Sequence, residues 1–194
     1  MSSLSGRSLC LWALLLLLGA AVPVAGQSKS PDLTLAYQFQ RFPGGGDVSS
    51  NVPGGFNVDV SYPIQGDLRV VGQFDWSRKT ESQSALGVTA EATATNSVFG
   101  GGVRWGSHVS MDYTPYVHVL VGAARSSGSV SVGSRELFSG SDTDAIVQVG
   151  GGVTVPINKK VSAVGQFDYR RIFTSDEGTN SIRVVGGIRV ILMN

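Results

Sequence analysis

The chain has a single cysteine, Cys10, inside an N-terminal apolar stretch, so no disulfide framework holds the remainder together. Charge is also scarce, at 15% of 194 residues, and it nearly cancels, with 15 Lys and Arg against 14 Asp and Glu. That balance leaves no basic field for nucleic acid or for anionic lipid headgroups. Two histidines, with no cysteine beyond the N-terminal stretch, make a poor donor set, and neither a metal nor a cofactor is expected. After the N-terminal stretch no apolar run approaches the ~20 residues of a spanning helix.

What is present begins with a leader. Arg7 supplies a basic start, Leu9 to Leu18 an apolar run, and Val24-Ala-Gly26 the small residues of a cleavage site. Residues 1–26 are therefore expected to be a signal peptide and residues 27–194 a single domain, exported and without disulfides.

Beyond the leader the dominant pattern has period two. From Leu68 to Ser77 the residues Leu68, Val70, Gly72, Phe74 and Trp76 share one face, and Arg69, Val71, Gln73, Asp75 and Ser77 the other. The pattern repeats. Pro63-Ile64 leading to Val70-Val-Gly-Gln-Phe-Asp-Trp76 returns, at the same spacing, as Pro156-Ile157 leading to Ala163-Val-Gly-Gln-Phe-Asp-Tyr169. The flanks agree, since Gly101-Gly-Val-Arg104 resembles Gly186-Gly-Ile-Arg189. Similar alternation near Leu33 to Gln40, Phe56 to Tyr62, Val98 to Trp105, Tyr116 to Ala123, Val147 to Val155 and Ile182 to Leu192 brings the total to eight strands of barrel-spanning length.

The connections sort by length. Long glycine- and serine-rich stretches at Pro43 to Gly55, Arg78 to Thr95 and Ser126 to Asp144 read as outward loops, with a shorter one at Ser175 to Asn180. Short turns follow the second, fourth and sixth strands. Such sorting suits an outer-membrane barrel with both termini periplasmic. The three long loops are polar and nearly without aromatics, which predicts mobile surface segments rather than a preformed pocket.

The two faces differ in chemistry. One collects Asp59, Arg69, Asp75, Arg104, Asp168, Arg170, Arg183 and Arg189, with Gln73, His118, Gln148 and Gln166. Eight strands leave an interior that side chains just fill, so these charges are expected to pair into an ionic plug. The other face is valine, leucine, phenylalanine and glycine. Phe56, Trp76, Phe99 and Tyr169 lie toward the long loops and Tyr62 and Trp105 toward the short turns, as in an aromatic girdle. The competing reading is a secreted soluble calyx that binds a small apolar ligand.

No catalytic site is expected. The triplets Gly100 to Gly102 and Gly150 to Gly152 lack the lysine of a phosphate loop and lie within strands, where glycine marks curvature or close packing against an aromatic. Asp75 and Asp168 occupy repeat-related positions, which reads as architecture rather than as a carboxylate pair for acid-base work. His108-Val-Ser110 is similar to the His-x-Ser of outer-membrane lipid A deacylases, but it falls in a turn on the periplasmic side with no acidic partner evident.

The leader, the eight alternating strands and the Val-Gly-Gln-Phe-Asp-aromatic segments resemble the small outer-membrane β-barrel family of OmpA-like and opacity-type porin domains. The resemblance implies an all-β fold, an eight-stranded antiparallel up-and-down transmembrane barrel in a bacterial outer membrane. It further implies lipids as surroundings, cell-surface ligands through the long loops, no nucleic acid partner, a monomer and no enzymatic activity. Members usually end on an aromatic residue, whereas this chain ends Ile191-Leu-Met-Asn194 without a following peptidoglycan-binding domain.

Overall fold

The computed structural model describes residues 30–43, 51–52, 54–85, 88–106, 112–132, 135–174 and 178–192. The expected signal peptide and the His108-Val-Ser110 triplet lie outside the described residues. Eight strands build the barrel wall. They are β1 (Asp32–Arg41), β2 (Gly55–Gln65), β3 (Leu68–Ala85), β4 (Val88–Gly106), β5 (Thr114–Val132), β6 (Arg135–Pro156), β7 (Val161–Phe173) and β8 (Thr179–Ile191). Each pairs antiparallel with its sequence neighbour, and β1 pairs with β8 from Asp32↔Ile191 to Arg41↔Ile182, so the sheet closes on itself. Closure removes the free edges that would otherwise present unpaired backbone groups to lipid. The residues Asn51–Val52 add a short pairing to Gln40 and Arg41.

Two turns at the short-turn end show why the chain reverses there. At the β2–β3 turn Gly66 has φ +56°, a left-handed conformation that glycine adopts without steric cost. At the β6–β7 turn the Asn158 side-chain oxygen accepts from the backbone N–H groups of Lys160 and Val161, both at 2.9 Å. That side chain takes the place of backbone partners in an Asx turn.

The opposite end departs from the expectation of long loops. Arg78 to Thr95 and Ser126 to Asp144 are strand over almost their whole length. β3 and β4 stay in unbroken register from Leu68↔Trp105 to Ala85↔Val88. β5 and β6 stay paired from Thr114↔Thr154 to Val132↔Arg135, with one bulge at Leu137, between Val130↔Phe138 and Ser131↔Glu136. By contrast β2 leaves β3 at Gly55↔Ser77, and β7 leaves β6 at Ala145↔Phe173. A four-stranded sheet, β3 to β6, therefore rises above one half of the rim. Polar composition concealed it, because neither face of this extension is continuously apolar. β-Branched residues and cross-strand pairs such as Thr80 Oγ1 to Thr93 Oγ1, at 3.2 Å, favour strand all the same.

The wall is apolar outside and polar inside. Leu35, Val60, Val103, Val119, Val149 and Val184 are exposed on the outer surface, as are Tyr62 and Trp105 toward the short turns. Toward the other end Phe56 stacks on Trp76 at 5.6 Å, and Phe74 meets Phe99 at 4.7 Å. A continuous apolar exterior around a charged interior overturns the soluble-calyx alternative, which would place its apolar residues around the ligand and its charges in water.

Candidate functional site

Alternation along each strand delivers the interior. Asp59, Asp75, Arg104, Asp168, Arg170 and Arg183 are all buried in the lumen, and Arg69 and Arg189 are mostly buried nearer the short-turn end. They form three tiers. At the short-turn end Arg69 Nη2 is 2.8 Å from Asp32 Oδ2, its Nε donates to Ser61 Oγ at 2.7 Å, and Ser61 in turn donates to Asp32. Arg189 donates to Thr34 and to Thr154. Asp32 stands at the first position of β1, before the alternation is established, and sequence reasoning missed it.

In the next tier Arg104 grips Asp59 with both terminal nitrogens, at 3.0 and 3.3 Å. The ring of Tyr116 lies under two guanidinium groups, with Arg104 4.8 Å and Arg189 5.1 Å from its centroid, and its hydroxyl donates to Gln166 at 2.8 Å. An Arg stacked on an aromatic keeps its in-plane donors free for carboxylates. Gly152 makes the room. A Cβ at that position would come within 2.6 Å of the Tyr116 hydroxyl, and one at Gly150 would collide with Asp168 Oδ1.

The middle tier holds the densest network. Arg183 reaches Asp75 with Nη1 at 2.5 Å and Asp168 with Nη2 at 2.5 Å, its Nη1 also donates to Gln38, and Arg170 forms a second ion pair with Asp75. Each aspartate also accepts from a glutamine two residues back in its own strand, Gln73 to Asp75 at 2.9 Å and Gln166 to Asp168 at 2.8 Å. Asn57 donates to Asp75 at 2.6 Å, and His118 Nε2 lies 2.9 Å from Asp168 Oδ1. Asp75 and Asp168 are thus brought to one guanidinium, sealed from solvent. Their oxygens point at cations and amides, with no access for a substrate.

Above this network the lumen changes character. Val98, Ala124, Ile146 and Ile172 form an apolar layer across it, with Phe42 packed on the layer. Over the layer lies a cavity of about 360 Å³, open along one side and bordered by the raised sheet. Where mobile segments without a preformed pocket are expected, strands wall an open recess. Phe42, just before the stretch read as the first long loop, and Phe138, within the third, line the same space. The signal available in the sequence was the inward parity of Ala92, Ala94, Gly128 and Val130, which continues the barrel register past the rim.

Residues 11–187 match a family model described as the outer membrane protein beta-barrel domain. No curated protein matches the chain in sequence. Among solved structures the chain is similar to neisserial surface protein A, with 16% identity over 84% of this chain and 96% of that one and a TM-score of 0.56. It is similar to Ail, the attachment invasion locus protein of Yersinia pestis, in a complex with the heparin analogue sucrose octasulfate, with 19% identity over 82% and 96% and a TM-score of 0.53. A major outer membrane protein from Thermus thermophilus aligns at 11% identity over 84% and 99%, with a TM-score of 0.55. At these identities the likeness is one of fold.

Proposed function

The chain belongs to the outer membrane protein β-barrel domain family and resides in the bacterial outer membrane, and from that premise we propose that it is a plugged, monomeric barrel that presents a surface for contact outside the cell. The observation that carries this reading is Arg183, wholly buried and bonded to carboxylates of β3 and β7. The two tiers below it and the apolar layer above fill the remaining section with side chains. An eight-stranded wall offers room for such a filling but not for a wide aqueous channel as well, which takes roughly 16 strands. The interior charges Asp59, Arg69, Asp75, Arg104, Asp168, Arg170, Arg183 and Arg189 then serve as internal cross-braces, and we assign them no catalytic or cofactor-binding role.

Contact with the outside falls to the raised sheet. It is an ordered four-stranded platform held by the barrel, and binding commonly resides on such projections from a rigid scaffold. Its described charges include Arg78, Lys79 and Arg125 against Glu81, Glu91, Asp142 and Asp144. This mixture supplies no basic field for a sulfated polyanion of the kind bound in the Ail complex, so a ligand of another chemistry is expected.

Planar-bilayer recording tests the plug. Purified protein should give no large, stable single-channel steps, and small flickering events are compatible with transient loosening of the tiers. Steps of porin size would overturn the reading.

A further inference from the structure

The cavity above the plug has features that the platform reading does not use. Phe42, Val52, Ala92, Ala94, Val130 and Phe138 give it a largely apolar lining, and its volume is about 360 Å³. That is more than twice the ~150 Å³ of apolar space that holds one benzene, and it falls within the ~300–1,000 Å³ range of small-molecule sites. The charged side chains on its wall, Lys79 and Glu81, pair with each other at 2.6 Å and offer no net charge to a visitor.

We propose that this cavity is a terminal binding site for one alkyl chain of an amphiphile, entering from the extracellular side. The lining selects hydrocarbon over a charged group, because an unpaired ion in apolar surroundings has no compensation. A polar headgroup stays in water at the open side of the site. The apolar layer of Val98, Ala124, Ile146 and Ile172 stops the chain from descending, and the ionic tiers stop everything else. The site retains its ligand and passes nothing on, a property that rests on the plugged lumen. Phe138, on the lining, is 66% exposed, so apolar surface at the mouth is left to water in the ligand-free protein.

Gly128 provides a clean handle. A Cβ there would meet only the Thr93 carbonyl oxygen, at 3.9 Å, so a larger side chain can be introduced without a clash at its root and will grow into the cavity it lines. The test uses the protein in lipid nanodiscs titrated with cis-parinaric acid, read as the fluorescence gained over empty nanodiscs. The wild type should show a saturable increment at one probe per barrel. Gly128→Phe, which fills the space, and Phe138→Asp, which sets a carboxylate in it, should each weaken binding at least tenfold while keeping the heat-modifiable mobility of a folded barrel. If Gly128→Phe does not fold, Phe138→Asp carries the test, because its side chain is mostly exposed.

Displacement separates the sources of the chain. Displacement by decanol and decanoate alone identifies a free amphiphile, and displacement by a lyso-phospholipid identifies a membrane lipid; either supports the site. No increment over empty nanodiscs, or full binding by both variants, overturns it, as does a stable dimer joined through Phe138 in place of probe binding. Bilayer recording on the same preparation keeps the two readings apart, since porin-sized steps would remove the plug without touching probe binding, and probe failure in a silent barrel removes the site alone.

Discussion

The two copies of the internal repeat, β3–β4 and β7–β8, share a wall but not an interior. On the outer face they coincide. Gly72 pairs with Gly101 as Gly165 pairs with Gly186, and Phe74 and Phe167 follow at the same step. On the inner face each copy keeps its Gln-x-Asp, yet the partners diverge. Asp75 stands opposite Val98 and is followed two residues on by Ser77, whereas Asp168 stands opposite Arg183 and is followed by Arg170. At this level one copy therefore brings a carboxylate alone, its Arg69 and Arg104 lying nearer the short turns, and the other brings Arg170 and Arg183 beside its own carboxylate. The imbalance is resolved only across the lumen, where both arginines reach Asp75. A repeat that had stayed symmetric would have paired within each half; this one needs both halves to close its charges.

Arg183 is where that dependence is greatest. Arg183→Met should destabilise the barrel by about 3–5 kcal/mol, because Asp75 and Asp168 both lose a buried ion-pair partner without gaining water. Urea unfolding in lipid vesicles measures the effect, and a loss below about 1 kcal/mol would mean that the tiers are hydrated and only loosely paired. The two aspartates should then differ although the repeat makes them equivalent. Asp75→Asn removes the ion-pair partner of Arg170 and one of the two held by Arg183, at about 3 kcal/mol, while Asp168→Asn leaves Arg183 with Asp75 and should cost about half as much. Equal losses would argue that the cross-lumen contacts contribute little.

Period-two alternation made the wall and its charged face legible, since one parity rule assigns every inward residue once a strand's phase is known. It worked for Asp59 and Arg183 alike. It could not say which charges meet, because Asp75 and Arg183 are joined through closure of the barrel and not through local spacing. The raised sheet escaped for a different reason. Between Arg78 and Thr95 both parities are small and polar, so the pattern that marks a strand against lipid is missing where the strand leaves the lipid. Phe138 was hidden with it.

A smaller effect sharpens the comparison on the outside. No heavy atom lies within 4 Å of a Cβ built at Gly72 or at Gly165, so alanine at either should change stability by less than about 0.5 kcal/mol, and equally in both copies. Gly152→Ala is the inward control. Its added methyl meets the Gly165 carbonyl oxygen and the hydroxyl of Tyr116, which is held beneath two arginines, and should cost about 1–3 kcal/mol as overpacking. A loss at Gly72 or Gly165 comparable to that at Gly152 would show that the outer face is packed against something, which the monomer reading does not provide.

A small effect is expected from the largest change. The register allows all four raised strands to be cut at one level, since Lys79 pairs with Ala94, Ala94 with Gly128 and Gly128 with Gly140. Removing residues 80–93 and 129–139 and closing each gap with Asn-Gly leaves every pairing below that level in place. None of the ionic tiers lies above it, and neither does the layer of Val98, Ala124, Ile146 and Ile172. Projecting elements open at little cost to the whole, and the truncated barrel should unfold within about 1 kcal/mol of the full chain. Parinaric acid binding, by contrast, should vanish, because Ala92, Val130 and Phe138 go with the deletion. A truncated chain that fails to fold in vesicles would mean that the raised sheet templates closure of the wall, and that platform and barrel are one unit instead of a scaffold and its projection.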